Sequence, residues 1–417
     1  MYRKLVLDNG VRVVTEKIPV LKSVTVGIWV NAGSRDESPS QAGYSHFVEH
    51  MCFKGTRSRS ATEISREIDG LGGEMNAFTT RETTTFYVKV LDQQLHQAIE
   101  LLADLFQHSR FDPKEIEKEK QVVLEEIRSV QDDPEDLVQE LHNGQVLGRH
   151  PLGRSILGHE DSIKKLRRQD LMVYIDGHYD PTQIVIAVAG NFQQRPLERL
   201  VARFFGKVSP TKIVETPIRR PPEVRGGVLT KRKPLEQVHL CLGLRGVAAG
   251  HRDRYAAYAL NSVLGGSMSS RLFQEVREKR GLAYSIYSFL SGYSDVGTIT
   301  VYAATRPREV DRVVGLVCKE IERIKTRGVT KKELDRAKNQ MKGGLMLSLE
   351  SSHSRMSKLA KDELTYGLRT TLEEMMAQID QISTDDVHTV CQELFSLDHL
   401  AITALGPVSP RSFHAFR

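Results

Sequence analysis

The residues best equipped for chemistry in this chain stand together as His46-Phe47-Val48-Glu49-His50. On a helix turning about 100° per residue, His46 and His50 fall one turn apart on one face, and Glu49 joins them within an arc of roughly 100°. Two imidazoles at that spacing can grip one Zn²⁺, and a carboxylate beside them can accept a proton from a water on the metal. The order H-x-x-E-H inverts the commoner H-E-x-x-H pattern of zinc peptidases. A surface helix with two solvated histidines would satisfy the same five residues, so the rest of the chain has to discriminate.

A catalytic zinc takes three protein ligands and keeps one position open. Asp112-Pro113 is a strong helix start, a capping side chain followed by proline at the first helical position. The helix it opens carries Glu119 and Glu126 seven residues apart, two turns along nearly the same face. Periodicity does not choose between Glu125 and Glu126 as a ligand, and a solvated charged face accounts for these carboxylates equally well. Cys52 lies just past His50, where packing explains it better than ligation.

These residues must be positioned by a chain of 417 residues, long enough for two or three domains. Its 40% hydrophobic and 27% charged residues are those of a soluble globular protein. The 59 Lys and Arg against 53 Asp and Glu leave +6, with no basic block or aromatic-basic repeat, which argues against nucleic acid as a partner. The four cysteines, Cys52, Cys241, Cys318 and Cys391, form no C-x-x-C pair and read as reduced buried thiols. With no signal-peptide core at residues 1–10 and no apolar run of membrane length, a cytoplasmic protein without a membrane partner is expected.

The order of predicted elements is written twice. A hairpin over 3–17 turns at Asn9-Gly10, a strand follows at 23–32, then the H-x-x-E-H helix, then a helix from 62 with Thr62 as a plausible cap. Strands follow over 74–90, helices over 93–107, 113–130, 135–147 and 160–177, and a strand over 184–189 that ends at Gly190. A Pro- and Gly-rich stretch over 209–227 reads as a linker. Beyond it, 237–244 repeats the strand at 23–30, helices near 253–264 and 270–279 repeat the two after it, strands over 283–304 and a helix over 308–326 follow, and 399–406 echoes 184–190. The expected fold is α+β: two homologous α/β-sandwich domains, 1–208 and 228–417, joined by 209–227, each a mostly antiparallel sheet with helices packed on one face. The second half lacks H-x-x-E-H, so the first is the zinc-binding domain.

Taken together, these motifs resemble the pitrilysin/insulinase family of zinc metallopeptidases, and most of all its short, processing-peptidase-like bacterial branch. The resemblance rests on H-x-x-E-H, on Gly72-Gly73-Glu74-Met75-Asn76-Ala77-Phe78-Thr79, on His150-Pro151-Leu152-Gly153 with Leu157-Gly158, and on the run from Ser270 to Tyr284. It spans essentially the whole chain.

The resemblance implies a third zinc ligand 76 residues beyond His50, which is Glu126, and a supporting carboxylate at Glu119. It implies one Zn²⁺ per chain on His46, His50 and Glu126, with Glu49 as general base in peptide hydrolysis. It further implies that Asn76, Ala77 and Phe78 receive the substrate as an added strand, that Arg277 grips a substrate carbonyl, and that Tyr284 steadies the developing oxyanion. By the same likeness, the expected partners are an unfolded peptide and a second copy of the chain, in a homodimer whose sites take zinc from one subunit and Arg277 and Tyr284 from the other. A relative of this fold serving as a non-catalytic structural or partner subunit is the competing reading, and the intact His46, Glu49, His50 and Glu126 argue against it.

Overall fold

The computed structural model describes residues 1–210, 219–408 and 413, so part of the expected linker, 211–218, lies outside the described residues. Within them the chain forms two compact units, each built on one mixed sheet. The first sheet contains β1 (Tyr2–Val6), β2 (Arg12–Lys17), β3 (Ser23–Val30), β4 (Glu74–Thr79), β5 (Thr84–Leu91) and β6 (Ile184–Gly190) in the order β1-β2-β6-β3-β5-β4. The second contains β7 (Gly227–Arg232), β8 (Val238–Gly246), β9 (Ala283–Gly292), β10 (Gly297–Thr305) and β11 (Ala401–Gly406) in the order β7-β11-β8-β10-β9. Removing β1 makes the two orders identical, and the single parallel pair falls at the same place in each, β2 with β6 and β7 with β11. The internal repeat read from the sequence is therefore a repeat of topology.

One backbone detail marks the same joint in both sheets. Gly190 and Gly406 end their strands at φ of +137° and +136°. A Cβ on Gly190 would come within 2.4 Å of Ser23 O, and one on Gly406 within 2.6 Å of Gln237 O. Only glycine combines that conformation with that approach.

The helices that concern the site follow one another as α1 (Tyr44–Cys52), α2 (Ala61–Gly70), α3 (Leu95–His108), α4 (Pro113–Asp132) and α5 (Pro134–Leu147). The cap of α2 is Ser60 rather than Thr62: its hydroxyl accepts from Glu63 N, and Glu63 returns the bond to Ser60 N. The stretch expected to be one helix over 160–177 is two, Glu160–Lys165 and Arg168–His178. The second-half helix expected over 270–279 widens into a π-helical turn at Phe273–Glu278.

The units are not contiguous in sequence, which departs from a division into 1–208 and 228–417. The first takes 346–369 from the second half, and the second takes 129–153 from the first. The physical reason lies on the far face of each sheet. The main core of the first unit packs α1, α3 and α4 on one face, while Val14, Trp29, Val185, Ala187 and Ala189 on the other receive Met356, Leu359 and Ala360 of the helix Ser352–Tyr366. Met356 Sδ accepts from Trp29 Nε1 at 3.2 Å. In the second unit α5 plays that part, setting Leu137 and Val138 against Cys241, Tyr302 and Leu405. Thus each sheet has its expected helical layer plus one further helix behind it. Burial on both faces is why β6 reads as an uninterrupted apolar run instead of an alternating one. No helix among the described residues is long and apolar enough to cross a membrane.

The entry to α1 is fixed by a buried carboxylate. Glu37 accepts from Gly43 N at 2.9 Å and from Ser45 N at 2.7 Å, satisfying donors that the start of a helix leaves open. Burial pushes the Glu37 carboxyl up to about 7, with the bonds from Ser45 and Gly43 and the nearby Arg154 pulling it back. Because the folded value lies above the ordinary 4.5, the folded chain binds more protons between those two values, and stability falls as pH rises through that window. The penalty is on the order of 3 kcal/mol. Urea unfolding of Glu37→Gln beside the parent chain is expected to show the variant gaining relative stability between pH 4.5 and pH 7; a difference that stays constant with pH would contradict this account.

Candidate metal centre

Helix α1 buries Phe47, Val48 and Met51 in the core, which leaves His46, Glu49 and His50 on its remaining face. Helix α4 buries Ile116, Val123, Leu124 and Ile127 at helical spacing and includes Glu119 among its buried positions. The two helices thereby bring side chains 69 to 80 residues apart in sequence to one place.

His46 Nε2 and His50 Nε2 face each other at 3.2 Å, and Glu126 Oε2 lies 3.6 Å from both. Three ligands each about 2.0–2.1 Å from a tetrahedral Zn²⁺ stand roughly 3.3–3.4 Å apart. The observed triangle is of that size. Its chemistry points the same way: Glu126 Oε2 is buried with no hydrogen-bond partner, and it converges with two ring nitrogens as a set of donors that could hold a metal ion. Burial, with the neighbouring His50 adding to it, pulls His46 down to about 3, so this imidazole is neutral and keeps a lone pair to donate. Glu125 is elsewhere, 70% exposed and paired with Arg128. Geometry thus separates two neighbours that spacing alone left equivalent.

Glu119 touches the site through His50. Its Oε1 lies 2.8 Å from His50 Nδ1 and its Oε2 lies 2.6 Å from Lys54 Nζ. With Nδ1–H donated to the carboxylate, Nε2 is the nitrogen left for a metal. Burial would raise Glu119, but the bonds from His50 and Lys54 outweigh it and hold the carboxyl below its usual range. Glu49 points to the other side, where Thr79 Oγ1 donates to Glu49 Oε2 at 2.5 Å. Burial lifts the Glu49 carboxyl above its ordinary range, and the Thr79 bond opposes that.

Thr79 ends β4, which is the edge strand of its sheet and carries Asn76, Ala77 and Phe78. Met75 and Ala77 lean on the main core, while Phe78 turns to the opposite face and meets Trp29 edge-on at 5.5 Å. Phe78 therefore offers a ligand on the α1 side its main chain only. Arg277 and Tyr284 belong to the other unit, where the structure brings them together with Phe273: the guanidinium lies 4.5 Å from the Tyr284 ring and 4.7 Å from the Phe273 ring. Tyr284 is 77% exposed.

Sequence reasoning missed Thr79, Lys54 and Phe273. Lys54 stands four residues after His50, and Phe273 four before Arg277. Helical spacing therefore contained a signal for Phe273, whereas Lys54 lies past the end of α1. Thr79 is reached through tertiary packing of β4 on α1 and had none. Cys52 is buried, and burial pushes its thiol up to about 12, which suits packing and not ligation.

The Glu119–His50 bond makes a prediction about metal affinity. Glu119→Gln is expected to weaken zinc binding by about 10–100-fold in a competitive chelator titration, because the ring it orients loses its anchor. Unchanged affinity would mean that Glu119 does not act through His50.

Comparison with known proteins places the chain in a family. Residues 12–160 match the model of the insulinase peptidase family M16, and residues 165–341 match the M16 inactive domain. A Bacillus subtilis protein named an uncharacterized zinc protease, YmxG, is 43% identical over 98% of this chain and 98% of its own. A similarly named zinc protease of Streptomyces coelicolor is 39% identical over 98% of this chain and 90% of its own. Among solved structures, an M16 inactive-domain protein of Pseudomonas fluorescens superposes with a TM-score of 0.92 at 22% identity, covering 98% of each chain. A Helicobacter pylori protease superposes at 0.88 with 24% identity, covering 98% of this chain and 99% of its own. At such identities these two speak for the fold, while the matching family models and the closer relatives establish that the chain belongs to the insulinase family of peptidases, M16.

Proposed function

We propose that this chain is a zinc-dependent endopeptidase that cleaves peptides and unfolded protein segments. The convergence of His46, His50 and Glu126 on one point, with Glu49 beside them, carries that reading. Bound by those three residues, one Zn²⁺ per chain supplies Lewis acidity and lowers the pKa of a water toward about 7. Glu49 would accept a proton from a water attacking the scissile carbonyl and return it to the departing amine. Thr79 holds the Glu49 carboxylate by one oxygen, which orients the other.

The same bond relates the base to the substrate. It ties Glu49 to the end of β4, an unpaired sheet edge, so a peptide added along Asn76, Ala77 and Phe78 runs beside the base. Main-chain pairing of that kind demands an extended segment and little of its sequence, which favours unfolded polypeptide over folded protein. Arg277 and Tyr284 serve as carbonyl and oxyanion partners. Two features support this: the guanidinium lies against two rings, and the phenol stands open to solvent. Their placement on a unit without metal ligands is the basis for expecting an active homodimer with composite sites.

Glu49→Gln is expected to retain zinc at the parent stoichiometry and to lose at least about 100-fold in cleavage of a long quenched unstructured peptide. Cleavage surviving in that variant would remove Glu49 from the mechanism. The shared site has its own test. Chains carrying Glu49→Gln mixed with chains carrying Tyr284→Phe should regain part of the parent activity through hybrid dimers. Mixtures that stay as inactive as their components would show that each site is built from one chain.

A further inference from the structure

A basic cavity lies on the first unit. The first turns of α4 and the segment joining the helices Glu160–Lys165 and Arg168–His178 line an open cavity of about 440 Å³. That is within the range of roughly 300–1,000 Å³ typical of small-molecule sites. Its α4 wall, Pro113, Ile116, Glu117 and Lys120, follows one helical stripe, whereas Glu119 and Glu126 point about 100–120° away around the same helix. The cavity is therefore separate from the histidine cluster.

Its lining is strongly one-sided in charge. Lys120, Lys164, Lys165, Arg167 and Arg168 face Glu117 as the one acidic member. The Lys120 side chain is 9% exposed, and its ammonium is shared between Glu117 Oε1 at 2.8 Å and the carbonyl of Lys164 at 3.3 Å. Glu117, by contrast, is 70% exposed, so solvent screens the one compensating charge. Lys164 pairs with Glu160 outside the cavity, while among the described residues Lys165 and Arg167 have no carboxylate partner.

Arg168 is fixed as part of the wall. Its Nε donates to Phe111 O at 3.1 Å and its Nη2 to Arg110 O at 3.4 Å. Phe111 has a φ of 50°, in the left-handed region that bulky residues avoid, so these bonds brace a strained turn at the start of α4. The 11-residue helix beginning at Arg168 also opens here, its first turn capped by Asp170, which accepts from Arg167 N at 3.0 Å. Of these cations Lys120 is buried, while Lys164, Lys165, Arg167 and Arg168 stand at the rim, where a concave surface gathers their field.

We propose that this cavity binds the di- or triphosphate group of a small phosphorylated metabolite. A single carboxylate would leave most of the charge unmet, whereas a diphosphate offers several charged non-bridging oxygens. Arg167 can take two of these in a fork, and Lys165 and Lys120 can meet the others as point charges. The proposal does not depend on peptidase activity, because binding is its readout.

The test is calorimetric titration of the full zinc-loaded protein with inorganic pyrophosphate, with zinc content measured before and after. The comparison is with Lys165→Gln/Arg167→Gln and with the control Lys331→Gln/Lys332→Gln, which removes two exposed cations from the other unit. All four positions are exposed, so folding is preserved, and circular dichroism checks it. Saturable binding with a dissociation constant below about 1 mM is expected in the parent and the control, weakened about tenfold or more in Lys165→Gln/Arg167→Gln. Absence of saturable binding would overturn the proposal. So would equal binding by all three proteins, which would place the anion elsewhere, at the metal included. Equal weakening in both variants would reduce the effect to overall charge and overturn it as well.

Discussion

The bond from His50 Nδ1 to Glu119, 2.8 Å long, is the constraint on which the site depends. An imidazole has two nitrogens and a free ring; only when one is held does the other point anywhere in particular. To hold it, a carboxylate must be buried, and a buried carboxylate is tolerated only when paired. Lys54 supplies the second partner, and both helices bury their apolar faces in the same core. The entry of α1 is set in turn by Glu37 beneath its first turn. Chemistry on three exposed-looking polar residues of one short helix therefore rests on buried charges at both of its ends.

The sequence made some of this legible and hid the rest for physical reasons. H-x-x-E-H is visible because the ligands share one helix and obey its period. Glu126 and Glu125 are indistinguishable by period, and only packing of α4 against α1 leaves Glu126 facing the histidines with an unpartnered oxygen and Glu125 in solvent beside Arg128. The repeat was legible because strand order survives when side chains have diverged. The exchanged helices were not. An amphipathic pattern at 352–366 states that Met356 and Leu359 are buried, but not on which sheet, and neighbours in sequence are the natural first assumption. The long apolar run of β6 was a clue, since a strand covered on one face would alternate.

The two units show what duplication keeps and what it releases. Both keep the parallel pair at the same place, the strand-ending glycine with the same φ, and a helix from the other half behind the sheet. The second has no H-x-x-E-H and carries instead a π-helical turn that seats Arg277 between Phe273 and Tyr284. Such turns offset one residue from the regular helical face and recur at functional positions. In this account one copy of the fold binds metal and base, and the other offers groups for substrate.

The central claim is that His46, His50 and Glu126 close around one Zn²⁺, and X-ray absorption at the zinc edge of the purified protein tests it most directly. The account predicts two imidazoles and oxygen ligands at about 2.0–2.1 Å, no sulfur near about 2.3 Å, and loss of one imidazole in His50→Ala. A sulfur shell, or a spectrum unchanged by His50→Ala, would place the metal elsewhere and contradict the site described.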